Sequence, residues 1–134
     1  MVKVTGVHHI VLKVKDPKKS ADFYVKACGM KIFSEEGGAY GLSGAGLDSL
    51  WLSPPNNSEG AVPFNRRGNV GLDHWAFSVA SMEDLKEIEQ HLKHGGIEME
   101  DGGVTDDGYG GTAIFTQDPD GMPLEFHLIG NNEK

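Results

Sequence analysis

The sequence predicts an α+β fold in which two similar β-α-β-β-β modules, residues 7–53 and 72–129, make up a single domain of 134 residues. Three observations lead there. Two strand patterns each begin with a histidine, a capped helix follows each, and glycine stands at the end of each helix. Self-similarity of this kind marks a supersecondary unit used twice.

The first strand reads His9-Ile10-Val11-Leu12-Lys13-Val14 and its counterpart His74-Trp75-Ala76-Phe77-Ser78-Val79, at an offset of 65 residues. Both keep apolar residues at the second, fourth and sixth places. Asp16 is a good N-cap and Pro17 suits the first helical position of the first helix. In the second, Ser81 heads a capping box, Ser81-Met82-Glu83-Asp84. Phe23 and Ala27 correspond to Ile88 and Leu92 at the same offset, four residues apart and so on one helix face. Gly29 and Gly95-Gly96 supply left-handed helix ends. Ile32 and Ile97 then begin new extended segments, and the modules finish on Ser49–Ser53 and Pro123–Leu128. The run from Ser53 to Asn69, with Pro54-Pro55-Asn56-Asn57, reads as the connector.

Composition narrows the function. Hydrophobic content of 38% and charged content of 24% are those of a globular protein, and the net charge of −8 opposes a nucleic-acid partner. No apolar run approaches the roughly 20 residues of a membrane span. The N-terminus carries no signal-peptide apolar core, and Cys28 as the single cysteine precludes an internal disulfide or a thiolate cluster. These features fit a cytoplasmic protein.

Side chains on a strand alternate between faces. Ile10, Leu12 and Val14 suit one face, under a helix, which sends His9, Val11 and Lys13 to the other. Trp75, Phe77 and Val79 likewise leave His74, Ala76 and Ser78 opposite, and Leu124, Phe126 and Leu128 leave Glu125, His127 and Ile129 opposite. If the two sheets curl into a shared cup, His9, His74 and Glu125 meet in it. Two imidazoles and a carboxylate bind one divalent ion and leave positions open for water or substrate, which fits zinc, iron(II), manganese, nickel or cobalt.

The segments His8–Asp16, Ser20, Phe23-Tyr24, Gly71–Val79, Phe115–Gly121 and Leu124-Glu125-Phe126 resemble the vicinal oxygen chelate superfamily across nearly the whole chain. That group includes glyoxalase I, fosfomycin-inactivating thiol transferases, extradiol dioxygenases and bleomycin-resistance proteins. The resemblance implies paired βαβββ modules (a glyoxalase-like fold) around a metal-binding cup, a homodimer, and metal ligands at His9, His74 and Glu125. Asp118-Pro119-Asp120-Gly121 reads as a β-turn without chemistry.

One position departs from the glyoxalase I pattern. Aligning Leu50 with Leu124 sets Trp51 opposite Glu125, where that pattern has a fourth ligand, and an indole cannot ligate. Trp51, Val11 and Ala76 become candidate substrate-contacting residues. A thiol-transferase reading would need a basic pocket for phosphonate, and Arg66 and Arg67 are the only arginines. Extradiol cleavage needs a histidine or tyrosine beside the metal, a role open to His127 or Tyr109. For His127 the alternative is a rim histidine, and for Tyr109 a surface turn in Asp106–Gly111. His8 is expected to point away from His9, and His91 and His94 to complement the end of the second helix. Two functional classes follow: a metal-dependent enzyme acting on a small molecule that chelates through adjacent oxygens (lyase, isomerase or extradiol dioxygenase), or a sequestering protein of the bleomycin-resistance type. Retention of all three ligands favours the enzyme.

Overall fold

In the first half, strand β1 (His9–Lys13) leads into helix α1 (Pro17–Cys28), followed by β2 (Lys31–Glu36), β3 (Ala39–Gly44) and β4 (Leu47–Ser53). The second half repeats the order with β5 (Trp75–Val79), α2 (Met82–His94), β6 (Thr105–Asp106), β7 (Thr112–Gln117) and β8 (Pro123–Leu128). The computed structural model describes residues 1–130. The chain divides into two compact units between Ala61 and Val62, inside the expected connector. Among the described residues no helix is long and apolar enough to cross a membrane.

Each unit is a four-stranded sheet with one helix on it. The orders are β1-β4-β3-β2 and β5-β8-β7-β6. In both, the first strand pairs in parallel with the last, and the other pairings are antiparallel. The helices start where the caps dictate. The Asp16 side chain accepts from the Lys19 N–H at 3.2 Å, and Ser81 Oγ accepts from the Asp84 N–H at 3.1 Å. Helix α1 stops at Gly29, whose φ of 65° lets its N–H reach back to the Val25 carbonyl.

Sheet alternation sorts the side chains. Val14, Leu42, Leu50 and Leu52 are buried together with Ala21, Phe23, Tyr24 and Ala27 of α1. In the second unit Phe77, Val79, Ile114, Leu124 and Phe126 are buried with Leu85 and Leu92 of α2. Phe77 and Phe126 stack at 5.7 Å. The Asp118–Gly121 segment is the expected β-turn. Gly121 N–H donates to the Asp118 carbonyl at 3.0 Å, while the buried Asp118 carboxylate accepts from the Asp120 and Met122 N–H groups.

Three expectations need correcting. No strand begins at Ile97: after α2 the chain makes a short 3-10 turn, Glu100–Gly102, and only Thr105–Asp106 pair with β7. Left-handed backbone at Asp101 (φ 54°) and Gly102 (φ 77°) interrupts the extended path, and acidic Glu98, Glu100 and Asp101 provide no alternating apolar face. The fifth strand starts at Trp75, so His74 lies one residue before the ladder. Finally, His8 does not turn away from His9. It precedes β1 and escapes its alternation, and the two Nδ1 atoms lie 3.0 Å apart while His8 Nε2 meets Asp48 at 3.3 Å.

Candidate metal centre

The β8 strand is paired on both sides, so its side chains stand at fixed positions on the face away from α2. Glu125 lies in register with Ala76 of β5 and Phe115 of β7, and His127 with Ser78 and Ala113. Leu124 and Phe126 fill the core on the other face. The Glu125 side chain is only 13% exposed, against 42% for His74. A carboxylate this sheltered needs compensation, and an imidazole nitrogen stands beside each of its oxygens. His74 Nε2 lies 3.4 Å from Oε2, and His127 Nδ1 lies 3.0 Å from Oε1.

Two further carboxylates flank these imidazoles. Asp73 Oδ1 is 2.8 Å from His74 Nδ1 and 3.3 Å from Arg66 Nη1. Asp107 Oδ2 is 3.7 Å from His127 Nδ1. The hydrogen bond to His74, followed by the Arg66 charge, holds Asp73 below the usual carboxylate range. Backbone N–H bonds from Tyr109 and Gly111 do the same for Asp107. They reach Asp107 Oδ1 at 2.7 and 2.9 Å, which turns Oδ2 toward His127. Gly111 is required there, because a Cβ would collide with the Asp107 carboxylate and lie 3.0 Å from the His127 ring.

These donors fit a divalent ion. Two donors bound about 2.0–2.2 Å from one ion, at octahedral to tetrahedral spacing, lie about 2.8–3.6 Å apart. Each Glu125 oxygen stands at that separation from an imidazole nitrogen. Nitrogen and carboxylate donors without thiolate suit zinc, iron(II), manganese, nickel or cobalt. Among the described residues Asp107, Glu125 and His127 each bring one donor atom within 4.8 Å of the others.

The expected site residues therefore divide between the units. The second unit brings His74, Glu125 and His127 together, with Ala76 beside Glu125 in the ladder. It adds Asp107 and Asp73, which strand alternation could not reveal because both lie outside strands; their only sequence signals are the Asp106-Asp107-Gly108 turn and the place directly before His74. Tyr109 sits at the tip of the β6–β7 loop with its side chain in solvent, 95% exposed. A cleft of about 230 Å³ in this unit is lined by both arginines together with Phe64, Glu100 and Thr116, and the acidic Glu100 in its wall makes it a poor phosphonate pocket.

In the first unit His9 and Val11 are exposed on the face away from α1, Val11 by 51%. Trp51 is the register counterpart of Glu125: it pairs with Val11 as Glu125 pairs with Ala76. Its Nε1 donates to Ser49 Oγ at 3.1 Å, and Phe33 meets its ring edge-on at 5.3 Å. The indole lies against the Gly41 backbone, where a Cβ would stand 2.9 Å from the ring.

The βαβββ fold is that of a glyoxalase-type protein, and sequence comparison agrees. The pattern of the Glyoxalase/Bleomycin resistance protein/Dioxygenase superfamily matches residues 6–126, and the chain belongs to that superfamily, the vicinal oxygen chelate group. The uncharacterized protein YwkD of Bacillus subtilis (strain 168) is 33% identical over 130 residues, covering 91% of this chain and 95% of YwkD. A crystal structure of a glyoxylase/bleomycin resistance protein/dioxygenase domain from Frankia sp. EAN1pec superposes with a TM-score of 0.81 at 26% identity, covering 98% of this chain and 96% of that one. Lactoylglutathione lyase from Agrobacterium tumefaciens shares the fold, with a TM-score of 0.68 at 18% identity over 93% of this chain and 94% of its own.

Proposed function

We propose that this protein is a divalent-metal-dependent enzyme acting on a small organic molecule that chelates the metal through adjacent oxygens. The ligands carried forward from the sequence are His9, His74 and Glu125. The observation that carries this reading is the approach of both Glu125 oxygens to imidazole nitrogens at 3.4 and 3.0 Å. A sequestering pocket has no use for a sheltered carboxylate flanked by two histidines. The ion, when bound, acts as a Lewis acid toward the chelating oxygens. His127 stands beside the ligand Glu125 and exchanges a proton with substrate, and Asp107, anchored by its loop, stabilises the protonated imidazole. Tyr109, at the tip of that loop, closes over bound substrate. Because Trp51 replaces the fourth ligand of the glyoxalase I pattern, the site keeps more exchangeable positions and serves an isomerase, lyase or extradiol-dioxygenase reaction.

A second reading rests on the first unit. Exposed Val11 and Phe33 lie beside the half-buried Trp51, an apolar and aromatic face that suits a planar compound held without chemistry. Metal analysis of protein purified without chelator or added metal separates the two. The enzyme reading expects about one ion per chain, lost on His74→Ala, Glu125→Ala or His9→Ala. Metal-free protein that binds no added zinc, manganese, nickel, cobalt or iron(II) overturns it. We further propose a cytoplasmic homodimer, since β1 and β2 in one sheet and β5 and β6 in the other leave edges to cover. Light scattering at twice the 14.5 kDa chain mass is the expected result.

A further inference from the structure

We propose that Asp73 is a positioning residue that holds His74 in the tautomer protonated on Nδ1, so that Nε2 is the nitrogen offered to the metal. The inference rests on the metal reading only for its consequence; the tautomer itself follows from local geometry.

A carboxylate can only accept hydrogen bonds, so the 2.8 Å approach of Asp73 Oδ1 to His74 Nδ1 requires the proton to be on Nδ1. A neutral imidazole carries a single N–H, and its lone pair is then on Nε2. That nitrogen is the one facing Glu125 Oε2 at 3.4 Å. Two lone-pair-bearing atoms at this separation repel unless a cation, a proton or a metal ion, lies between them, and the spot Asp73 prepares is where a metal ion would sit. A histidine side chain free in water prefers the opposite tautomer, and an unconstrained neutral His74 would spend most of its time presenting the wrong nitrogen. Arg66 grips the same Asp73 oxygen from the connector at 3.3 Å. Arg66 keeps the carboxylate in place as His74 turns, which links the connector to the ligand. The arrangement is the carboxylate–histidine–metal relay that tunes ligand orientation and basicity, in which loss of the outer partner typically costs about 10–100-fold in metal affinity.

The test uses the full chain, labelled with 15N at histidine and stripped of metal with a chelator. Long-range proton–nitrogen correlation spectra report which ring nitrogen carries the proton, and His74→Gln identifies the His74 signals. Wild type is expected to show His74 protonated on Nδ1, and Asp73→Ala to shift it toward Nε2. Zinc titration of the same two proteins should show affinity reduced about 10–100-fold in Asp73→Ala. Asp73 is exposed, so the variant is expected to fold, and matched circular dichroism and thermal melts check this. A wild-type His74 protonated on Nε2 overturns the proposal. So does a loss of zinc affinity with an unchanged tautomer, because Asp73 would then act through its charge alone. A protein that shows the Nδ1 tautomer yet binds no zinc would instead refute the metal reading and leave Asp73 as the residue that sets the tautomer.

Discussion

The two halves share a topology and even a strand register, yet the faces away from their helices have opposite chemistry. Trp51 pairs with Val11 and Gly41 in the first sheet, where Glu125 pairs with Ala76 and Phe115 in the second. At one ladder position an indole lies against a glycine; at the same position in the other half a carboxylate meets two imidazoles. The helix-facing sides have diverged far less: Leu50 and Leu52 match Leu124 and Phe126, all buried. A duplicated module thus keeps what folding demands on one face and is free to specialise the other, because alternation separates the two sets of side chains.

The largest expected effect breaks this comparison at its centre. Glu125→Ala should reduce metal affinity by more than about 100-fold, exceeding what an outer-sphere change costs, whereas Trp51→Ala at the matching position should leave it nearly unchanged. Metal content and zinc titration read both. Equal losses would mean that the halves contribute alike and that Trp51 is not merely an apolar wall. His8→Ala and His9→Ala give a parallel test in the first unit. Only the second should lower metal content, although the two Nδ1 atoms lie 3.0 Å apart.

Next in size come the conserved-looking core faces, where the halves should behave alike. Leu50→Ala and Leu124→Ala each remove a fully buried side chain and should each cost about 2–5 kcal/mol in urea unfolding. A large cost at one and a negligible cost at the other would show that only one half carries the fold. A smaller effect, about 1–3 kcal/mol, is expected for Gly41→Ala, whose Cβ would press on Trp51 and Phe33 at 2.8–2.9 Å. Tryptophan emission should shift, since Trp51 must leave its seat while Trp75 in the other half is unaffected.

How much of this was legible in the sequence follows from where each residue sits. Strand parity placed Glu125, Trp51 and Ala76 correctly, because their neighbours Leu124, Leu50 and Phe77 are large and apolar and leave one choice of face. Parity failed at His8, one residue outside β1, where no ladder fixes the side chain. The second strand of the second half escapes the sequence reading because Ile97 is apolar but its followers are acidic and glycine-rich. Asp107 and Asp73 left no periodic trace: their roles depend on loop backbone and on a neighbour's ring, which only coordinates reveal.

The last comparison concerns the helix ends. Cys28 near the end of α1 corresponds to Lys93 of α2 at the same 65-residue offset as the histidines. Lys93 sends its ammonium to Glu89 at 2.8 Å, on the helix surface. The Cys28 thiol instead turns into the fold, and burial pushes it up to about 12. An unfolded cysteine ionises near 8.5. The folded thiol is therefore kept neutral, and the stability it adds is full below about 8.5 and is lost as pH rises from there toward 12. Iodoacetamide reacts with thiolate only. At pH 8 the folded protein should thus be alkylated roughly a thousandfold more slowly than urea-unfolded protein, from the difference between the two ionisation points. Mass spectrometry after timed quenching reads the rates. Fast labelling of the folded protein would mean that α1 frays at Gly29, and that the two helices end with different firmness despite their matching glycines.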